Sequence, residues 1–254
     1  MIVILSPSKN LNFKPQTVTG KFTRPMFMDE ASKLAEKVRK LNRREMAELM
    51  DINPRLTGLN RARFMEWSSS PDTGTAKQAI LAFNGDVYTG LNAKMMKEPD
   101  LVFAQGNLVI LSGLYGVLRP LDMIQPYRLE MGIDLKVGRA ADLYEFWGSK
   151  ITDALNRLLK KHKHKAIINL ASLEYSQSID PKSLDAEWIT PTFKEFRGNG
   201  YHIFFVFLKR ARGMMARFMI ENRITRPEDM KAFDTGGYYY NEDMSAGLDW
   251  VFTR

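Results

Sequence analysis

Short apolar runs alternate with longer stretches of helical spacing along the chain. Residues 2–5, 108–111 and 166–170 are continuous apolar runs of strand length, which is typical of strands buried on both faces. Residues 29–41 place apolar side chains on one face of a helix, and residues 141–161 give the clearest long helical pattern. The pattern therefore predicts both buried strands and amphipathic helices.

The rest of the pattern supplies further elements. Helices are predicted at 43–50, 54–67, 75–83, 98–107, 209–222 and 227–233. Strands are predicted at 127–131, 186–190, 202–208, 238–240 and 250–252, and loops at 12–25 and 68–74. Irregular alternation of helices and strands predicts an α/β fold (mixed α+β), with a mixed β-sheet flanked by helices. We expect one compact domain over residues 1–254.

Several function classes are excluded by what the sequence lacks. No Gly-x-Gly-x-x-Gly follows the first strand, and no Gly-Lys-Ser/Thr loop is present, which argues against dinucleotide and Walker-type nucleotide folds. The absence of cysteine excludes disulfides, thiolate catalysis and cysteine-ligated metal centres. No apolar run approaches the roughly 18 to 20 residues that span a bilayer. We therefore expect a cytoplasmic protein without a membrane partner.

The formal net charge of +8 favours acidic partners, such as nucleic acid or phosphates. Cations concentrate in one stretch of 18 residues that contains Lys209, Arg210, Arg212, Arg217, Arg223 and Arg226. Gly213 lies inside this predicted helix at a cost of roughly 1 kcal/mol relative to alanine, which suggests a close approach to another element.

A second basic element is the predicted helical pair 43–64, which turns at Asn53-Pro54. Arg55, Arg61 and Arg63 lie on its second helix. The pair has the outline of a helix-hairpin-helix, which binds the phosphate backbone, but it lacks the usual Gly-x-Gly hairpin. The alternative is an ordinary helical hairpin with a solvated basic face.

Polar segments follow the predicted strands, where ligands bind in open α/β sheets. Lys9 follows the first strand and is able to reach a phosphate or carboxylate, unless it is simply solvated. Asp86, in Asn84-Gly85-Asp86, is a general base, a ligand or only a turn former. Glu174 follows Ser172 at a helix start, where its charge suits the helix dipole whether or not it has another role.

The densest polar segment is residues 111–132. Arg119 and Arg128 are suited to bidentate pairing with phosphate or carboxylate, and Asp122 and Glu130 are acid–base candidates. Two tyrosines, Tyr115 and Tyr127, add phenol groups. The alternative is an internal arginine–carboxylate network that fixes a long loop.

Residues 6–11, 78–91, 111–132, 142–148, 169–175 and 209–225 together resemble the YaaA family of peroxide-stress proteins. The resemblance implies a cytosolic protein that helps cells withstand hydrogen peroxide by limiting free iron and damage to DNA and protein. It also implies a compact α/β domain with a positively charged cleft, a helix-hairpin-helix-like element and DNA binding. No reaction is assigned to the family, so the resemblance identifies no catalytic residue.

Three hypotheses follow. The first is binding of duplex or branched DNA without sequence specificity, with phosphates neutralised by Lys and Arg. The second is an enzyme that acts on a nucleotide, nucleobase or damaged nucleic acid, or at least a site for a nucleotide-like small molecule. Its pocket would be formed by Lys9, Asp86, Tyr115, Arg119, Asp122, Tyr127, Arg128, Glu130 and Glu174. The third, direct iron sequestration, ranks last because no cysteine is present and no histidine lies in these segments; we expect no metal site and no cofactor.

Overall fold

The computed structural model describes residues 1–15, 18–72 and 74–254. Gln16, Thr17 and Thr73 belong to the two predicted loops and lie outside the described residues. The strands are β1 (Ile2–Leu5), β2 (Asn10–Leu11), β3 (Lys77–Gln78), β4 (Phe83–Asn84), β5 (Leu108–Ser112), β6 (Gly116–Leu118), β7 (Met123–Ile124), β8 (Ala166–Leu170), β9 (Glu187–Arg197), β10 (Gly200–His202), β11 (Tyr239–Tyr240) and β12 (Asp249–Thr253). The helices are α1 (Met28–Arg39), α2 (Arg43–Met50), α3 (Pro54–Glu66), α4 (Ala79–Ala82), α5 (Asp86–Leu91), α6 (Glu98–Asn107), α7 (Leu143–Trp147), α8 (Lys150–Leu159), α9 (Leu173–Ser176) and α10 (Phe205–Glu221).

Eight strands of the described residues form a mixed sheet in the order β11-β12-β9-β8-β1-β5-β6, and β10 pairs with β9. The strands β5, β1, β8, β9 and β12 are parallel, whereas β6, β10 and β11 are antiparallel to their neighbours. The predicted mixed sheet with helices is therefore confirmed. One hydrophobic core runs from Met1 to Phe252; the single domain stays a prediction.

The order of the strands creates a crevice at the end of β1. From β1 the chain continues to β5 on one side and later to β8 on the other, and both are parallel to β1. Because the connections from β1 lead to opposite sides of that strand, a gap is left beyond the carboxyl ends of the strands. Leu5, Ser112 and Leu170 end the three strands at this edge.

The predicted helical pair is present as α2 and α3. Asn42 and Glu45 form a capping box at the start of α2, and Asp51 ends that helix with a left-handed φ of 47°. Asn53 caps α3 by accepting from the N–H of Leu56, with Pro54 as the first helical residue. These local signals explain why the bounds of this pair could be predicted closely.

Helices α5 and α10 cross backbone to backbone. A Cβ added to Gly213 of α10 would lie 1.8 Å from the carbonyl oxygen of Val87 in α5. The close approach expected from a glycine inside the basic helix is therefore confirmed. It brings the first half of α10 beside Asp86, which begins α5.

Two predicted helices are shorter or broken. Residues 75–83 are not a continuous helix, because Lys77–Gln78 pairs with β7 and only Ala79–Ala82 is helical. Residues 141–161 form two helices, because Gly148 adopts a φ of 47° that an α-helix cannot contain.

Two predicted strands are not formed, apart from His202 of the second, which ends β10. Residues 127–131 form no strand and pass against Gly113, where a Cβ would lie 2.3 Å from the carbonyl oxygen of Leu129. The aromatic run 202–208 enters α10 at Phe205, because its buried face begins at Leu208 and continues at helical spacing. No helix among the described residues is both long and apolar enough to cross a bilayer.

Candidate functional site

A cavity of about 320 Å³ lies at the carboxyl ends of β1 and β8, and we call it the cleft. Its polar lining comes from the loop after β1, the start of α5, the segment before Met131, the loop after β8 and α10. These polar residues are Ser6, Ser8, Lys9, Asn10, Asp86, Glu130, Ser172, Glu174, Lys209 and Arg212. Three strand-end segments, part of the dense segment and the basic helix thus meet at one place.

Hydrogen bonds fix the loops that form the floor of the cleft. The Oγ of Ser6 accepts from the N–H of Ser172 at 2.8 Å, and the Tyr88 hydroxyl donates to the carbonyl of Ser6 at 2.9 Å. Ser8 donates to the carbonyl of Asn84 at 2.6 Å, where Gly85 leaves room that a Cβ would fill. The loop after β1 is therefore tied both to α5 and to the loop after β8.

Glu130 is the most buried carboxylate of the cleft, at 9% exposure. Its Oε1 accepts from Lys9 Nζ at 3.1 Å and from the Arg128 guanidinium at 2.8 and 3.1 Å. Its Oε2 is buried without a hydrogen-bond partner. Most buried polar atoms in proteins have a partner, so this oxygen calls for a physical reason.

Arg212 is the second residue of the cleft with a buried, unpartnered polar atom, its Nε. Burial lowers the pKa of Arg212 from its ordinary value. An arginine nevertheless keeps its proton, so Nε–H remains a donor. One unpartnered acceptor and one unpartnered donor therefore belong to residues of the same cavity.

Glu174 and Asp86 complete the acidic lining. Glu174 Oε1 accepts from the N–H of Gly132 at 3.2 Å, and Tyr144 donates to the carbonyl of Glu174 at 2.8 Å. Asp86 is exposed in the first turn of α5, where its charge is favourable. Among the described residues, no group of three or more His, Asp or Glu side chains is placed to hold a metal ion.

Tyr115 and Tyr127 lie in the core, outside the cleft. The Tyr115 hydroxyl accepts from Trp67 Nε1 at 2.9 Å, and the Tyr127 hydroxyl is 2.7 Å from Ser112 Oγ. Burial raises the pKa of Tyr115 to about 12, and it raises that of Tyr127 as well. Both phenols are therefore neutral groups that join core elements.

Arg119 and Asp122 lie at the opposite edge of the sheet. Strand β6 is antiparallel to β5 and carries the chain away from the cleft, so Arg119 lines a separate cavity with Met1, which precedes β1. Asp122 is fully buried and accepts from Thr23 Oγ1 at 2.5 Å and from the N–H of Arg119 at 2.7 Å. Burial raises the pKa of Asp122 against these hydrogen bonds. This pair fits the alternative interpretation of residues 111–132, an internal arginine–carboxylate network that fixes a long loop.

The remaining predicted arginines divide into internal and exposed groups. Arg61 donates to the carbonyl of Leu41 at 2.6 Å, and Arg217 donates to that of Asn92 at 3.0 Å. Burial lowers the pKa of Arg63, which donates to Asn60. Exposed members of the predicted set are Lys9, Arg55, Lys209 and Arg210.

An apolar ridge beside the cleft was missed by the sequence analysis, which predicted a strand there. We define the ridge as Phe204, Phe205 and Val206, whose exposed fractions are 40%, 73% and 61%. Phe205 and Val206 lie one turn before Lys209 and Arg210 on α10. The helical spacing that continues from Leu208 is the signal that could have revealed it.

Comparison with known proteins now identifies relatives. A family described as "Peroxide stress protein YaaA" matches residues 1–244. The chain belongs to the YaaA peroxide-stress protein family. A UPF0246 protein of Colwellia psychrerythraea is 49% identical over 254 residues, covering the whole chain and 99% of the relative. UPF0246 proteins of Cellvibrio japonicus and Paraburkholderia phytofirmans are 47% and 48% identical, covering the whole chain and 98% of each relative. The resemblance read from the motifs is thereby confirmed.

The cleft of this YaaA-family protein has a mixed lining. Three cationic side chains, Lys9, Lys209 and Arg212, face three acidic ones, Asp86, Glu130 and Glu174. The exposed cation Arg210 lies next along α10, beside an adjoining cavity. Positive charge inside the cleft is thus matched by an equal number of acidic side chains.

Proposed function

We propose that this YaaA-family protein binds DNA in the cytoplasm during peroxide stress and so helps to limit iron-dependent oxidative damage. The observation that carries the proposal is the surface of α10 beside the cleft. There the apolar ridge lies one turn from two exposed cations, Lys209 and Arg210. Aromatic side chains that stack on bases and cations that hold phosphates are the combination that proteins use to bind nucleic acid.

The helical pair α2–α3 supports the proposal as a second contact. Its turn resembles a helix-hairpin-helix, and Arg55 is exposed in the first turn of α3. A helix start with a nearby arginine favours a phosphate. Because Arg61 and Arg63 are engaged within the protein, we assign only Arg55 of this pair to DNA.

The proposed binding is to the phosphate backbone, without sequence specificity. Affinity should then fall steeply with salt. In a plot of the logarithm of the binding constant against the logarithm of the salt concentration, each phosphate contact contributes about −0.9 to the slope. The link to iron is indirect in this proposal: the protein covers DNA and does not bind the metal.

Fluorescence anisotropy with labelled duplex and branched DNA between about 50 and 200 mM salt tests this function. The double variant Lys209→Ala/Arg210→Ala should reduce the slope by about 2, as expected for two lost phosphate contacts. Lys161→Ala/Lys163→Ala is the matched control, because it removes two exposed cations at the opposite edge of the sheet. Absence of salt-dependent binding, or equal loss in both variants, contradicts the proposal.

A second candidate function is catalysis on a nucleotide, nucleobase or damaged nucleic acid. It is favoured by one observation, a nearly buried glutamate in a cavity with one unpartnered oxygen. Coating of a phosphate backbone does not require a carboxylate there, whereas acid–base chemistry does. If Glu130→Gln and Asp86→Ala fold normally and still protect cells against peroxide, this second function fails.

A further inference from the structure

We propose that the cleft binds a single nucleobase, with Glu130 Oε2 accepting from the base edge and Arg212 Nε–H donating to it. The inference rests on the proposed function and extends it, because it specifies which part of the DNA enters the protein. The unpaired nucleotide would place its base in the cleft and its phosphates on the rim.

The unpartnered atoms indicate the edge that is bound. Glu130 Oε2 is an acceptor and Arg212 Nε–H is a donor, and neither has a partner within the protein. A ligand that satisfies both must present a donor and an acceptor on the edge that enters the cleft. The Watson–Crick edge of every base does so: thymine and guanine pair an N–H with a carbonyl oxygen, and adenine and cytosine pair an exocyclic N–H with a ring nitrogen.

Access to Glu130 is controlled by Lys9. The Lys9 side chain is 64% exposed, whereas that of Glu130 is 11% exposed. An ion pair with one so exposed partner is weak. A base whose own N–H groups donate to Glu130 can therefore displace Lys9, while Arg128 continues to hold Oε1 at 2.8 Å.

The distribution of charge separates base from phosphate. Within the cleft, three acidic side chains balance three cations, so a phosphate there would meet Asp86, Glu130 and Glu174. An uncharged base meets no such repulsion. The exposed Lys209 and Arg210 on α10 are placed to hold the flanking phosphates instead.

The size and the border of the cleft fit one base. A volume of about 320 Å³ lies at the small end of ligand pockets, so it accepts one base and excludes a duplex. Phe205 is 73% exposed on α10, and Leu173 is 71% exposed next to Ser172 of the lining. Apolar side chains on two elements that form the cleft are thus available to the neighbouring bases that become unstacked.

The decisive experiment compares duplexes that are identical except for one unpaired thymine, guanine or adenine. Anisotropy titrations with the full chain should show about tenfold tighter binding to a duplex with one unpaired base than to the fully paired duplex, whichever of the three bases is unpaired; such a preference corresponds to about one good base contact. Glu130→Gln and Leu173→Ala should each remove the preference without weakening binding to the paired duplex. Because Leu173 is 71% exposed, its variant keeps the test valid even if Glu130→Gln fails to fold.

Calorimetric titration with thymidine and guanosine distinguishes a free nucleoside from a nucleotide within DNA. If the protein binds a nucleoside and Glu130→Gln abolishes that binding, the base site is supported. If, in addition, the duplexes show no preference for an unpaired base, the ligand of the site is the free nucleoside. Equal affinity for paired and unpaired DNA, together with no nucleoside binding, overturns the inference. In that case salt-dependent duplex binding would leave the proposed function standing, whereas loss of all DNA binding would remove that function too.

Discussion

Gly90 of α5 and Gly213 of α10 let the two helices touch through their backbones. A Cβ on Gly90 would lie 2.1 Å from the carbonyl oxygen of Arg210, and one on Gly213 would lie 1.8 Å from that of Val87. Real Cβ atoms do not approach this closely, so either substitution must push the helices apart. Because α10 carries Lys209 and Arg212 into the cleft, the spacing of this pair sets the width of the site.

We expect Gly213→Ala to lower the free energy of unfolding by roughly 1 to 3 kcal/mol, since overpacking outweighs the better helix propensity of alanine. Urea denaturation monitored by circular dichroism measures the change. Gly58→Ala is the matched control, because Gly58 lies inside α3 with open space around it. There alanine should raise stability by about 0.5 to 1 kcal/mol. Equal effects at the two positions would show that the helix crossing is not tight.

The nearly buried ion pair between Arg128 and Glu130 should matter far more to stability than an exposed pair of equal length. Both this pair and Arg44–Glu48 have a contact of 2.8 Å, but the side chains of the first are 15% and 11% exposed and those of the second 87% and 64%. Arg128→Met should cost about 2 to 4 kcal/mol, because Glu130 stays behind with only Lys9 as an ionic partner. Arg44→Met should cost about 0 to 1 kcal/mol. Chemical denaturation of the two variants checks this, and similar losses would count against a structural role for the Arg128–Glu130 pair.

Local signals explain which parts of the fold could be predicted. The Asn53-Pro54 turn specifies its own cap and first helical residue, and the apolar runs 2–5 and 166–170 suit buried parallel strands. The run 202–208 was predicted wrongly because a run of aromatic and β-branched residues is typical of a strand. The buried positions at helical spacing, which indicate a helix, begin only at Leu208. Burial in the tertiary structure, and not the local preference of these residues, determines that the segment from Phe205 is helical.

The position of some candidate site residues could be predicted from the sequence, and that of others could not. Lys9 and Glu174 could be expected in one place because parallel strands end at one edge. Arg119 could not be separated from Arg128 by sequence, although β6 directly precedes Arg119 and takes it to the other edge, from which the chain returns before Arg128. Antiparallel pairing across the turn after β5 has no distinctive signal in this segment. The return of the chain to the cleft depends on Gly113, whose missing Cβ admits the backbone before Glu130.

His162 should make stability depend on pH in a mildly acidic range. Burial first, and then the nearby N-terminal amino group, lower the pKa of His162 from 6.5 to about 4. The unfolded chain therefore binds a proton between about pH 6.5 and 4 that the folded chain does not, so stability is lost as the pH falls through this window. After allowance for solvent screening, the loss is about 1 to 2 kcal/mol. Compared with wild type, His162→Gln should flatten this part of the stability profile, measured by urea denaturation at a series of pH values.

Arg55 and Arg61, both on α3, separate a DNA contact from a structural one. Arg61 donates to the carbonyl of Leu41 at 2.6 Å, whereas Arg55 is exposed. Arg55→Ala should leave the unfolding midpoint unchanged and reduce the salt slope of DNA binding by about 1, as expected for one lost phosphate contact. Arg61→Ala should instead lower stability by about 1 to 3 kcal/mol, because a half-buried carbonyl loses its donor. Thermal denaturation and anisotropy titrations on the same two proteins read out both quantities. An unchanged salt slope in Arg55→Ala would mean that α2–α3 is an ordinary helical hairpin, and DNA contact would then be confined to α10 and the cleft.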